Sequence, residues 1–322
     1  MRLALILALL PLPAFADVSQ VIDDHILPAT KGFAAATHAL ADKAQVDCAP
    51  DAIRPAYQSA FDAWMGLSHL GFGPLEQDGR ALTIEFWPDP RGLVRRATAG
   101  LIADSDPVVD KPDAFAEVSI AGRGLMALEQ LLYESQADPD YACRYAGAVA
   151  TDLAALADAV QADWRSHADL MRTAGESGND RYISAKEPQQ VLYTALLSTL
   201  EFDADQRLGR PMGSFDKPRP KLAEAWRSDR PLQNIRLSLD ALRALATGLS
   251  DTPIPVTEAA FDTAQATAAS LDDPRLASVD DPQSRLKIEI LQQQIRAIGA
   301  AVEAEIGGDL GLTAGFNSKD GD

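Results

Sequence analysis

Apolar residues recur at the three- and four-residue spacing of an α-helix along nearly the whole chain, which makes the expected fold all-α with minimal strand content. In the first half the pattern covers 18–44, where Pro28 is expected to introduce a kink, and 53–70, after the start signal Pro50-Asp51. It resumes over 112–136, and again from Asp138-Pro139 towards Arg172. Beyond a polar Gly/Ser stretch at 174–180 come four more amphipathic segments, 187–209, 231–249, 256–271 and 282–306, separated by Pro- and Gly-bearing turns. Four and four predicts two four-helix-bundle-like domains in series, the first over 17–175 and the second over 181–322. No residue-level repeat relates the two halves. The segment 71–92 interrupts the first half with Gly and Pro, and only 81–86 reads as extended. Connections of that length are usually functional or packed.

The first 16 residues follow another logic. Arg2, an apolar run from Leu3 to Leu12 and the small-residue pattern Ala14-Phe15-Ala16 read as a secretory signal peptide cleaved after Ala16. The run is too short for a stable membrane anchor, and no later segment reaches spanning length without a charge. Export explains the cysteine usage. The only two, Cys48 and Cys143, are expected to pair in an oxidising compartment, closing a loop of about 95 residues worth roughly 4–5 kcal/mol in the chain-entropy account. The formal net charge of −18 repels nucleic acid and anionic lipid and keeps the chain soluble.

One residue contradicts its surroundings. In "GRGLMALEQLLYE" (122–134) Glu129 sits on the apolar face of a helix, with Leu125 and Met126 one turn below and Leu132 and Tyr133 one turn above. None of these can pair with a carboxylate, so its partner must come from another segment or the group must stay protonated. Arg227, beside Ser228 in "AEAWRS", is the candidate partner across an interdomain interface, through bidentate pairing.

No catalytic residue emerges: the zinc-peptidase HExxH helix, the GxSxG elbow and the phosphate-cradling GxxxxGK[ST] loop are all missing. His25 lies just before Pro28, and His69 precedes the Gly-rich loop, both places where sites tend to assemble. His38 and His167 fall on polar helix faces and read as surface residues. In "FWPDPRG" the prolines hold Trp87, Asp89 and Arg91 at low entropic cost, as a structural turn or as a ligand-facing loop. Asn317, Asp320 and Asp322 form only part of a calcium-loop pattern.

The segments "HILPATKGF", "FGP", "FWPDPRG", "GLMALE", "AEAWRS" and "LGLTAGFNSKDGD", in this order, resemble the imelysin-like family of exported bacterial proteins. The resemblance implies two helical bundles with a site between them, a periplasmic location, and a role in iron uptake. It carries a GxHxxE motif whose counterparts here are Gly124, Met126 and Glu129, so methionine replaces the histidine. His and Glu three apart could share a metal, whereas a thioether suits neither iron nor zinc. The expected function is binding of a divalent or iron ion, or a small ligand, in a polar interbundle pocket. Its candidate ligand-binding residues are Glu129, Met126, Trp87, Asp89, Arg91, Arg227 and Ser228, with Glu129, His25 and His69 as candidate metal ligands. The alternative is a non-catalytic module docking an envelope protein partner. The family's older name implies a peptidase, which the missing motifs disfavour.

Overall fold

The computed structural model describes residues 18–312; the expected signal peptide and the partial calcium-loop pattern of Asn317, Asp320 and Asp322 lie outside them. The described chain is all-α, and its only β-type pairing is an isolated bridge between Ser214 and Lys217.

The first bundle consists of α1 (Leu27–Val46), α2 (Pro50–Met65), α3 (Leu93–Asp104), α4 (Gly124–Tyr133) and α5 (Pro139–Arg172). Helix α1 packs along α5 and α2, α4 fills the remaining groove between α2 and α5, and α3 lies outside against α4. The second bundle is built from α6 (Lys186–Phe202), α7 (Pro231–Gly248), α8 (Pro255–Ser270) and α9 (Pro282–Val302), with α9 against α6 and α8 and α7 against the same two. Proline opens α2, α5, α7, α8 and α9, where its missing N–H costs nothing and its fixed φ suits the first turn. Asp138 and Asp281 add side-chain caps, accepting from Tyr141 N and Ser284 N. The bundles meet where α2 faces α7 and where the turn Trp226–Ser228 abuts α4, so one apolar core runs through both halves.

Four sequence expectations need correction. The stretch 81–86 is not extended: Arg80–Ile84 is a short helix, and only from Glu85 is the backbone extended. The helix expected over 112–136 is broken into Pro112–Phe115, Ile120–Gly122 and α4, because Gly122 and Gly124 sit where chains cross. Helix α2 ends at Met65, short of 70. Helix α3 was not foreseen at all. At Pro28 the helix is not interrupted: α1 continues Val18–Val21 through a π turn at Ile22–Ile26 that ends just before Leu27-Pro28. The Cys48–Cys143 disulfide is formed, tying the end of α1 to the first turn of α5.

Candidate functional site

The interface between the bundles holds three polar assemblies. In the first, Glu129 is 1% exposed, and its Oε1 accepts from Arg227 N (2.9 Å), Ser228 N (3.1 Å) and Ser228 Oγ (3.0 Å). Its Oε2 lies 3.7 Å from Arg227 Nη1, whose Nε donates to Glu134. Arg227 is therefore beside Glu129 as expected, but the bidentate pairing is not formed: the close contacts come from the Arg227 and Ser228 N–H groups and the Ser228 hydroxyl, while the guanidinium turns its Nε to Glu134. Ala225 and Asp229, both at positive φ, bracket the turn and aim its N–H groups at the carboxylate. Burial pushes the Glu129 pKa up, and Arg227 and the Ser228 hydrogen bonds pull against it. Gly124 is required where α4 begins: φ is +68°, and a Cβ there would stand 2.1 Å from the Thr83 carbonyl oxygen.

Beside Glu129 is a cavity of about 270 Å³ that also receives Trp87, Met126, Arg95, Lys221, Trp226 and Arg227. Lys221 and Arg227 flank the Trp226 ring at 5.5 and 4.5 Å from its centroid. Asp89 reaches the same wall, but its carboxylate caps α3 by accepting from Leu93 N and Val94 N. Arg91 is exposed and does not line the cavity.

The second assembly, which the sequence reading missed, centres on Arg207. Its Nε donates to both oxygens of Glu224 at 3.0 Å, and its Nη1 donates to Asp203 and Ser238. Asn234 also donates to Glu224 (2.6 Å), and Trp64 Nε1 donates to Glu85 (2.6 Å). All of these side chains are buried. A π turn at Asp203–Leu208, continuing α6, presents Asp203 and Arg207 to the interface. Arg230, 1% exposed, crosses to the first bundle, donating to Gln58 and Asp62. Burial raises Glu85 well above the carboxyl range, reinforced by Glu224; it raises Asp203 to about 6 against the pull of Arg207. Burial works against the Arg207 charge, but Glu224 and Asp203 outweigh it. The reasoning that singled out Glu129 passes over Asp203, because Arg207 lies four residues on and the two read as an ordinary surface ion pair along one helix.

The third assembly is the histidine pair. His25, in the first π turn, and His69 meet Nε2 to Nε2 at 2.8 Å, so one neutral ring donates to the other. Burial lowers His25 to about 4 and His69 well below its usual range. His38 is exposed as expected, pairing with Asp158, but His167 is not a surface residue: it is buried against Gly73 and bonded to the Tyr182 hydroxyl (2.8 Å).

The pair predicts an acid sensitivity. Between pH 6.5 and 4 the folded chain binds fewer protons at His25 than the unfolded chain does, so this contribution is complete above 6.5 and is lost as pH falls towards 4. In thermal melts, the drop in Tm from pH 7 to pH 5 should be smaller in His25→Asn than in the wild type. Equal drops would mean that His25 titrates normally.

The expected metal does not suit these residues. Glu129 is engaged by Arg227 and Ser228 while His25 and His69 engage each other. Among the described residues no group of three or more His, Cys, Asp or Glu is arranged to hold a metal ion.

Two helical bundles joined over a buried polar layer define the class. A family model described as Imelysin matches residues 26–302, and the chain belongs to that family. No curated protein matches its sequence. The fold resembles the crystal structure of an imelysin-like protein from Psychrobacter arcticus (TM-score 0.77, 21% identity, 93% of this chain and 96% of that one). It also resembles a candidate iron-regulated protein A precursor from Parabacteroides distasonis (TM-score 0.66, 12% identity, 90% of this chain and 94% of that one).

Proposed function

We propose that this chain is an exported periplasmic binding protein that holds a small anionic ligand in the cavity beside Glu129. The supporting observation is the cationic lining. Arg95, Arg210, Lys221 and Arg227 converge there on a chain of net charge −18, with Trp87 and Trp226 offering flat apolar faces. Of the acids at this wall, Asp89 caps α3 and Glu129 is held by the Trp226–Ser228 turn. No described helix is long and apolar enough to cross a membrane. In iron uptake, such a cavity suits iron carried as an anionic chelate rather than as a bare ion. The description of the P. distasonis neighbour as iron-regulated makes ferric citrate the first probe.

Citrate and ferric citrate should raise the melting temperature in a concentration-dependent way. The double variant Arg95→Ala/Lys221→Ala should weaken that binding at least about tenfold while the ligand-free melt stays unchanged, since these side chains lie at the cavity rim. If neither probe shifts the wild-type melt, or if the double variant responds fully, the reading fails. The second reading, a non-catalytic module docking an envelope partner, draws on the same Glu129 contacts, which join the two bundles whether or not a ligand enters.

A further inference from the structure

Between α6 and α7 the chain projects a tight turn, 213–217, into solvent. Lys217 N donates to Ser214 O (3.0 Å), and Gly213 is needed at φ +52°, where a Cβ would stand 2.5 Å from the Lys217 carbonyl oxygen. The base of the turn is held as well: Arg285 of α9 donates to Met212 O (2.6 Å), and Arg219 N donates to Pro211 O (2.8 Å). At its tip Phe215 is 70% exposed, the one aromatic ring among the strongly exposed large apolar side chains of the described residues. Two more of that group, Leu286 and Ile290, follow Arg285 on α9, and the Arg285 guanidinium lies 5.8 Å from the Phe215 ring centroid.

The residues after the tip are basic. Lys217, Arg219 and Lys221, all exposed, alternate with Pro218 and Pro220, which restrict the backbone between them. None of the three has an ion-pair partner among the described residues; Lys221 rests on the Trp226 ring. On this chain that is unusual. Acids outnumber Lys and Arg by 47 to 29, and Arg54, Arg123, Arg144, Arg172, Arg243 and Arg275 each meet a carboxylate. Asp216 is the one acid within 213–221, so the segment is net positive. Arg95 and Arg210, beside Lys221 on the cavity rim, extend the positive field. Acids farther than about 10 Å away are screened at ordinary ionic strength.

An aromatic tip with unpaired cations beside it suits the interface of an anionic bilayer, where the ring enters the headgroup layer and the cations stay with the phosphates. A protein partner would need a preformed pocket for the ring, whereas a fluid headgroup layer admits it without one. We propose that this surface docks the protein on an anionic phospholipid bilayer, with Phe215 in the headgroup region and Lys217, Arg219 and Lys221 on lipid phosphates. One ring and three cations give reversible docking rather than stable anchoring. The acidic remainder of the chain is repelled by the same lipids, so docking fixes one orientation. Lys221 also lines the cavity beside Glu129, and docking turns that mouth towards the bilayer. It requires no ligand in the cavity.

Co-sedimentation with vesicles tests this, using the exported chain without its expected signal peptide and without an affinity tag. At low ionic strength, equimolar phosphatidylglycerol/phosphatidylethanolamine vesicles should bind it at least about tenfold more tightly than phosphatidylcholine vesicles, and added salt should shrink the difference. Lys217→Glu/Arg219→Glu should lower the affinity for anionic vesicles at least about tenfold, and Phe215→Ser about threefold or more. The circular dichroism of both should be unchanged, because all three positions are exposed. Lys31→Glu/Lys43→Glu makes the same change in charge at exposed positions of α1, and should bind within about twofold of the wild type. No preference for anionic vesicles, unaltered binding in both patch variants, or an equal loss in the α1 variant would each overturn the proposal. So would a protein that ignores the vesicles but is retained on polyglutamate unless Lys217 and Arg219 are reversed, which would assign the surface to an acidic protein.

Discussion

Replacing Arg207 by methionine is expected to cost about 3–5 kcal/mol or more at neutral pH, because it leaves Asp203 and Glu224 buried without their cation. At roughly 2–4 °C per kcal/mol, a lower-end value of about 3 kcal/mol would lower Tm by about 6–12 °C, and a larger cost would lower it further. The sign of the pH dependence separates this from simple loss of packing. Stranded carboxylates are relieved by protonation, so the variant should recover part of its deficit relative to the wild type as the pH is lowered from 7.5 to 5.5. Asp203, already raised to about 6 with the arginine present, should rise further without it. A Tm within a degree or two of the wild type, or a deficit indifferent to pH, would show that the guanidinium is not what holds the acids in place.

Gly124→Ala should be nearly as damaging, for a reason that involves no charge. The new Cβ would stand 2.1 Å from the Thr83 carbonyl oxygen and 2.4 Å from that of Ile84, both backbone atoms that cannot swing aside. The positive φ adds about 1–2 kcal/mol for any L-residue. Displacing the chain that carries Thr83 and Ile84 would also move Glu85 and Trp87, so the total is expected to exceed about 3 kcal/mol. Gly79→Ala is the control: φ is +65° there, but nothing lies within 4 Å of the added Cβ, so only the backbone cost of about 1–2 kcal/mol should appear. Chemical denaturation of both variants measures the difference. Equal costs would mean that the close approach at Gly124 is relieved without consequence.

These two residues show where reading the chain succeeded and where it stopped. Helical periodicity and proline placement were enough to find four helices of each bundle, though not α3, because both act within a few residues of chain. The cysteine pair was legible because only one pairing was possible. Glu129 was recognisable as a misfit on its own helix, and Arg227 as its counterpart, since a buried carboxylate must find a donor somewhere. Local pattern misjudged 81–86 and 112–136, where alternation and helix propensity yield to tight crossings over Gly122 and Gly124. It also placed His167 at the surface, although Gly73 leaves a gap that only its ring fills. Above all, periodicity does not say which buried polar groups meet. Glu85, Asp203, Arg207 and Glu224 come from three separate segments, and His25 reaches His69 through a π turn that rotates it off the helical register. The sequence by itself determined the helices, the bridge and the one conspicuous acid. Only the packing of one bundle on the other decided which charges neutralise each other, because that energy depends on distances between residues far apart in the chain.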